Sequence, residues 1–143
     1  MNNFGFVIEG SPVAKGRPRF SNRGGFAKAY TPAKTRNAEA EVIVRCINAM
    51  KIAGNDRPTE NPLKISIFFD MPIPKSFSKK KVEACLRCEI FPTTRPDLDN
   101  MAKTYLDAMN GIVYKDDSQI IELNVKKKYS TVPATTVYVV NIF

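Results

Sequence analysis

The sequence predicts an α+β fold, a single domain in which helices pack on a mixed β-sheet of about four strands. Three observations lead to this prediction. The chain has 143 residues, which is the usual size of one domain, so we expect residues 1–143 to fold together. Its composition, 43% hydrophobic and 25% charged, is that of an ordinary globular protein. Strand-like and helix-like segments alternate along the chain and end in two successive strands, which favours a mixed sheet covered by helices.

The first half of the chain predicts a strand, a long loop and a helix. Residues 4–9 are typical of a strand. Residues 10–32 are rich in Gly, Pro, Ser and Arg and predict a functional or mobile loop, with room for a hairpin through Phe20 and residues 26–30. Residues 33–53 carry apolar side chains along one helical face, and Gly54-Asn55 follows as the end of the helix.

The second half of the chain predicts a strand, then two helices, and then two final strands. Residues 62–69 alternate as in a strand, and Ser78 is a suitable N-cap for a short lysine-rich helix that reaches about Leu86. Residues 97–110 form the best-patterned helix, with an apolar stripe at i, i+3, i+4, i+7 and i+8 and a stop at Asn110-Gly111. Strands over 120–129 and 135–142 complete the chain, joined by a turn.

The charge distribution indicates a polyanionic partner. The net charge is +8, and residues 10–36 hold seven basic residues and no acidic one. Five of the seven aspartates lie instead between Asp97 and Asp117. A basic surface with a local acidic focus suits a metal-dependent nuclease, because the basic part neutralises phosphates and the acidic part holds a cation against them.

Other features of the sequence narrow the class of protein. No apolar run approaches the ~20 residues of a membrane span, and the first residues show no signal peptide. Three cysteines, an odd number, favour a reducing cytoplasm over a secreted disulfide framework. A zinc site at Cys85 and Cys88 lacks ligands, since only Cys46 remains and the chain has no histidine.

Three features within twenty-one residues form the candidate site: Asp97 with Asp99, then Lys103, then the run Lys115-Asp116-Asp117. The helix period places Asp99 and Lys103 on one face, and folding the helix back could bring Asp117 near both aspartates. Carboxylates that leave room for water suit Mg²⁺, and the absence of histidine leaves carboxylate–metal chemistry for phosphodiester hydrolysis. Each feature also has an ordinary interpretation as a helix cap, a surface ion pair or a solvated turn.

The same residues resemble a known family. The motifs that carry the resemblance are Arg95-Pro96-Asp97-Leu98-Asp99-Asn100, Lys103, Leu106-Asp107-Ala108-Met109-Asn110-Gly111 and Lys115-Asp116-Asp117-Ser118-Gln119-Ile120. Together they closely resemble the signature of the RusA family of Holliday-junction resolvases. Residues 15–19 resemble that family's N-terminal element and residues 74–80 its middle one, while residues 37–60 have little in common with it.

The resemblance implies a RusA-like fold and a homodimeric endodeoxyribonuclease that resolves four-way DNA junctions by paired symmetric incisions, in recombination and repair. It implies Mg²⁺ as the cofactor, which Mn²⁺ could replace, and a bacterial or phage-encoded cytoplasmic protein. By motif, Asp97, Asp99 and Asp117 would bind the metal and Lys103 would be the catalytic lysine. Asp116 would not be a ligand, although spacing alone cannot separate it from Asp117.

Basic and aromatic residues outside the motifs are candidates for DNA contacts. Lys15, Arg17 and Arg19 form one candidate phosphate-binding set, and Lys79, Lys80 and Lys81 form a second. Phe20 and Phe26 could stack on unpaired bases or simply anchor the loop. The run 126–128 consists of lysines on an edge-like strand, where lysines discourage aggregation.

Two other functions fit the residues. One is a non-catalytic nucleic-acid-binding module that needs no metal and tolerates Asp99→Asn. The other is a metal-dependent nuclease with a different target, such as RNA or duplex ends.

Overall fold

The main sheet of the protein is mixed, as the sequence predicts. The computed structural model describes residues 1–17 and 19–143, without the side chains of Arg19 and Arg23. The strands are β1 (Phe4–Glu9), β2 (Arg19–Ser21), β3 (Lys28–Tyr30), β4 (Leu63–Pro72), β5 (Ile120–Ser130) and β6 (Ala134–Asn141). The main sheet has the order β1-β6-β4-β5; β6 pairs antiparallel with β1 and β4, and β4 pairs parallel with β5. The predicted α+β class with a four-stranded mixed sheet is confirmed.

Three helices complete the described fold and begin where the sequence indicates. They are α1 (Ala33–Ile52), α2 (Lys79–Leu86) and α3 (Leu98–Met109). Ser78 caps α2, and its hydroxyl accepts a hydrogen bond from the backbone N–H of Lys81 at 3.2 Å. α1 ends one residue before the predicted limit, followed by Gly54 at φ +82°. The strand predicted over 62–69 is longer than expected, because its pairing with β5 continues to Pro72.

The hydrophobic core lies between one face of the sheet and the helices α1 and α3. β4 supplies four fully buried residues, Leu63, Ile65, Ile67 and Phe69. The predicted apolar stripe of α3 packs against them, with Met101 and Met109 fully buried. Core packing of this kind fixes α3 relative to β4 and β5, and so fixes the place of the acidic motifs at its two ends.

The predicted hairpin in the basic loop is present as the two-stranded sheet of β2 and β3. Its turn contains Gly24 and Gly25 at φ +78° and +81°, a backbone conformation that glycine adopts without strain. Phe20 and Phe26 are 72% and 76% exposed, so neither ring anchors the loop to the core. Among residues 1–17 and 19–143, no helix is both long and apolar enough to span a membrane.

Candidate active site

The first acidic motif lies at the start of α3, with its carboxylates on the surface. Asp97 is the N-cap residue and has an extended backbone, but its side chain makes no capping hydrogen bond. Asp99 is exposed, and its Oδ1 accepts a hydrogen bond from the backbone N–H of Asn100 at 2.8 Å. The carboxylate of Asp97 is therefore not occupied by the capping role that the ordinary interpretation assigns to it.

The basic loop after β1 packs against this end of α3. The backbone N–H of Lys15 donates to the carbonyl of Asn100 at 3.2 Å, and that of Gly16 donates to the hydroxyl of Thr35 at 2.9 Å. A Cβ atom at position 16 would lie 2.7 Å from the Thr35 hydroxyl, so the close approach requires glycine. The loop is thus fixed between the starts of α1 and α3.

A groove of about 500 Å³ lies between this loop and the start of α3. Its lining combines one carboxylate, three basic side chains, one side-chain amide and three small or apolar residues: Pro12, Ala14, Arg17, Lys34, Arg95, Pro96, Asp97 and Asn100. Among the described residues the carboxylate of Asp97 has no hydrogen bond or ion pair, and a carboxylate of this kind next to cations suits a phosphate held beside a metal ion.

The second acidic motif lies on a 3₁₀ turn, Asp117–Gln119, directly before β5. The buried Tyr114 hydroxyl donates to the carbonyl of Leu106, which ties this segment to the C-terminal half of α3. The Gln119 side chain donates to the carbonyls of Thr59 and Asn61 at 2.8 and 3.1 Å, which ties the turn to the segment before β4.

The two acidic motifs are not gathered into one metal site. Within residues 1–17 and 19–143, no group of three or more acidic or cysteine side chains is close enough to hold a metal ion. The physical reason is the length of α3: Asp97 lies at its first end, Tyr114 holds the second motif near its last turns, and twelve helical residues span roughly 18 Å. The proximity of Asp117 to Asp97 and Asp99 expected from the sequence is absent from the described structure.

Comparison with known proteins identifies the family. The family model described as "Endodeoxyribonuclease RusA" matches residues 9–140 of this chain. The chain belongs to the RusA family. Membership gives the activity class, which is hydrolysis of phosphodiester bonds within DNA. The chain is also 38% identical over 139 residues to the uncharacterized protein YqaN of Bacillus subtilis (strain 168), a match that covers 94% of this chain and 93% of that relative.

The lysine that the RusA resemblance marks as catalytic, Lys103, is exposed one helical turn after Asp99. The described residues include no ion pair between these two side chains, so the ordinary i, i+4 pair does not form here. Lys103 therefore presents its charge to solvent beside the first acidic motif. Its neighbour Thr104 is fully buried.

The predicted DNA-binding residues of this RusA-family chain differ in their surroundings. Arg17 is exposed and lines the groove. Lys15 is partly buried instead, and its ammonium pairs with Glu39 and, at 3.3 Å, with Asp107. Burial lowers the pKa of Lys15, but the hydrogen bonds that its ammonium donates to Glu39 and Asp107 outweigh this effect, and the pKa is raised. The side chain of Arg19 lies outside the described part of the chain.

The second basic patch forms the first turn of α2. Lys79, Lys80 and Lys81 are all exposed, and the Lys81 ammonium lies 3.9 Å from the centre of the Phe77 ring. Cations in the first turn oppose the helix dipole, and no acidic residue offsets them there. A bound phosphate would relieve this unfavourable arrangement.

The structure adds three basic residues that sequence reasoning did not select. Lys34 and Arg95 line the groove together with Arg17 and Asp97. Arg95 precedes the first acidic motif by two residues, a signal that could have identified it. Lys127 lies on β5, which is an edge strand as the sequence indicates, and its ammonium also contacts the backbone that leads into Asp97.

Proposed function

We propose that this protein is a divalent-metal-dependent endonuclease, with Mg²⁺ as its cofactor, that resolves four-way DNA junctions by paired symmetric incisions. One observation carries the proposal. The carboxylate of Asp97, which makes no capping hydrogen bond, lines a groove whose other charged residues are all basic. Membership of the RusA family supports the same substrate class.

The donor chemistry at the start of α3 fits a hard divalent cation. Asp97 and Asp99 offer exposed carboxylate oxygens, the ligand type that Mg²⁺ and Mn²⁺ prefer. We assign the third carboxylate to Asp117, because its neighbour Asp116 is already engaged in the turn. Since the two acidic motifs lie apart within one chain, this assignment requires that the active form of the protein bring Asp117 to the acidic pair. A metal bound there would activate water for attack on the phosphate and would neutralise charge that develops on it.

The side chains of the protein bind and orient the DNA around this centre. Arg17, Lys34 and Arg95 neutralise phosphates in the groove, and the lysines of α2 contact a second stretch of backbone. Lys103 places a positive charge next to the acidic pair, where it stabilises negative charge that develops on the phosphate. The exposed rings of Phe20 and Phe26 stack on unpaired bases at the branch point.

We further propose that the active form is a homodimer. Paired symmetric incisions need two active sites related by a two-fold axis, which a symmetric dimer provides. Sedimentation at the concentration used for cleavage tests this directly, and a monomer that still cuts both strands symmetrically would contradict it.

The test is cleavage of a labelled four-way junction by the wild type, Asp99→Asn and Asp56→Asn. Asp56 is an exposed aspartate that pairs only with Arg57 among the described residues, so it serves as a matched control. We expect paired nicks with Mg²⁺ or Mn²⁺ from the wild type and from Asp56→Asn, and none with EDTA. Asp99→Asn should bind the junction and lose at least 100-fold in rate.

Two results would overturn the proposal. Binding without cutting by the wild type would mean that the acidic residues are structural and the protein is a binding module. Equal cutting of linear duplex, RNA and junction would mean that the nuclease has another target.

A further inference from the structure

A lysine of β5 holds the backbone that leads into the first acidic motif. The ammonium of Lys127 donates to the carbonyl of Thr94 at 3.0 Å and to the carbonyl of Pro96 at 3.1 Å. Pro96 is the residue directly before Asp97. The two bonds therefore act on the peptide segment from which the Asp97 side chain is presented.

This segment has few polar contacts, although Pro92 within it is buried. Residues 90–96 connect α2 to α3 without regular secondary structure. In the part of the chain that the structure describes, the two bonds from Lys127 are the only hydrogen bonds that join residues 90–96 to the rest of the protein. Removing this one ammonium would therefore remove both hydrogen bonds that hold the backbone directly before Asp97.

Strand alternation explains why Lys127, and neither neighbouring lysine, reaches the segment. Lys127 lies opposite Phe69 on the core side of the sheet, the same side as Val125 and Tyr129, and it is half-buried. Lys126 and Lys128 point to the other side of the sheet and are exposed. The three lysines are consecutive in sequence but differ in what they can contact.

The contact of Lys127 with the Thr94 and Pro96 carbonyls is more typical of a structural hydrogen bond than of a surface lysine that only aids solubility. A partly buried ammonium is costly unless it is hydrogen-bonded, and bonds from a charged donor are roughly twice as strong as neutral ones. Among the described residues Lys127 pairs with no carboxylate, so its two acceptors are the neutral carbonyls of the loop.

We propose that Lys127 is a positioning residue, which fixes the Thr94–Pro96 backbone so that the Asp97 carboxylate is held at the groove. The inference rests on the proposed nuclease function, since it assigns Lys127 a role through Asp97. It predicts that loss of the ammonium raises the metal concentration needed for cleavage and slows the reaction, while junction binding without metal is kept.

The experiment compares Lys127→Met with Lys127→Arg and with the matched controls Lys126→Met and Lys128→Met. Methionine keeps the apolar stem of the side chain and removes the donor, whereas arginine keeps a charged donor. For Lys127→Met we expect a 10- to 100-fold lower cleavage rate at saturating junction and a higher half-saturating Mg²⁺ concentration. Lys127→Arg should recover most of the rate, and both controls should match the wild type.

Hydrogen exchange in the first turn of α3 gives a readout that does not depend on activity, because the backbone N–H of Met101 donates to the carbonyl of Asp97 and a loosened segment before Asp97 weakens this bond. Faster exchange in Lys127→Met alone, at unchanged melting temperature, supports the anchor. Unchanged exchange, or a Lys127→Met variant that cuts with normal metal dependence, overturns the positioning role. A wild type that cuts no DNA overturns the proposed function itself, and the two failures are therefore distinguishable.

Discussion

The backbone N–H of Asp116 donates a 3.0 Å hydrogen bond to the side-chain oxygen of Gln119, and this pairing closes the turn before β5. The Asp116 carboxylate accepts in turn from the backbone N–H of Ser118 at 3.4 Å. Hydrogen bonds from the side chain and then the backbone of Ser118 lower the pKa of Asp116. In the described structure the adjacent Asp117 carboxylate makes no hydrogen bond or ion pair, so the two neighbours differ in what they are free to bind.

This difference predicts that two adjacent substitutions will affect the cleavage rate to very different extents. Asp117→Asn should lower Mg²⁺-dependent junction cleavage at least 100-fold, because it weakens a proposed metal ligand. Asp116→Asn should stay within about fivefold of the wild type, since an asparagine side chain can still cap the turn. Steady-state cleavage rates at saturating junction measure both. If Asp116→Asn is the more damaging of the two, the ligand assignment is reversed.

The fold was predictable because its signals are local. The apolar stripe of 97–110 and the Ser78 cap each depend on residues within a few turns, and α3 and α2 begin where those signals lie. The predicted number of four strands in the main sheet is also confirmed, because the pattern of apolar and polar residues marks each strand separately.

The arrangement of the candidate site was only partly predictable, because it depends on distances between elements. The separation of Asp97 from Asp117 follows from how α3 lies on the sheet, which no spacing rule contains. Lys127 resembled its two neighbours in sequence, and only the strand pairing with Phe69 shows which lysine faces the loop. The exposure of Phe20 likewise depends on where the hairpin leaves the core.

Lys15 is predicted to stabilise the fold as well as to face DNA. Its ammonium pairs with Glu39 of α1 and Asp107 of α3, and its side chain is 21% exposed. Lys15→Met should lower the free energy of unfolding by about 1–2 kcal/mol, between the values of exposed and buried pairs. Lys75→Met, an exposed lysine in a loop, serves as the control and should change little. Urea denaturation at neutral pH measures both.

The contribution of Lys15 to the free energy of unfolding should decrease at high pH. The pKa of folded Lys15 lies above the ordinary lysine value of 10.5, since its two acidic partners outweigh its burial. The stabilisation is therefore complete below the unfolded pKa and is lost as the pH rises through the folded one. The stability gap between the wild type and Lys15→Met should stay constant from pH 7 to about pH 9 and shrink at more alkaline pH. A gap that shrinks between pH 7 and 9 would contradict the raised pKa.

The exposed rings of the hairpin are predicted to serve binding rather than stability. Phe20 and Phe26 are 72% and 76% exposed, so Phe→Ala at either position should change the unfolding free energy by less than about 0.5 kcal/mol. Stacking of a ring on a base contributes about 1–3 kcal/mol, so each substitution should weaken junction binding roughly 5- to 150-fold. Phe143→Ala, at an 84% exposed position outside the hairpin, is the control. Junction affinity that is unchanged in both hairpin variants would remove the stacking role.

Thr104 carries a buried hydroxyl that has no hydrogen-bond partner in the described part of the chain. The residue is fully buried on α3, and its Oγ1 has no hydrogen bond to any described residue. Thr104→Val replaces the hydroxyl by a methyl group, so it should raise the free energy of unfolding by about 1 kcal/mol and leave the cleavage rate unchanged. Thr35→Val is the matched control, because the hydroxyl of the equally buried Thr35 accepts from the backbone N–H of Gly16 at 2.9 Å. That substitution should destabilise by about 1–2 kcal/mol, since it leaves a partly buried N–H unpaired. Urea denaturation of both variants measures these changes in unfolding free energy. A Thr104→Val variant that is as unstable as Thr35→Val would mean that the Thr104 hydroxyl does have a partner in the folded protein.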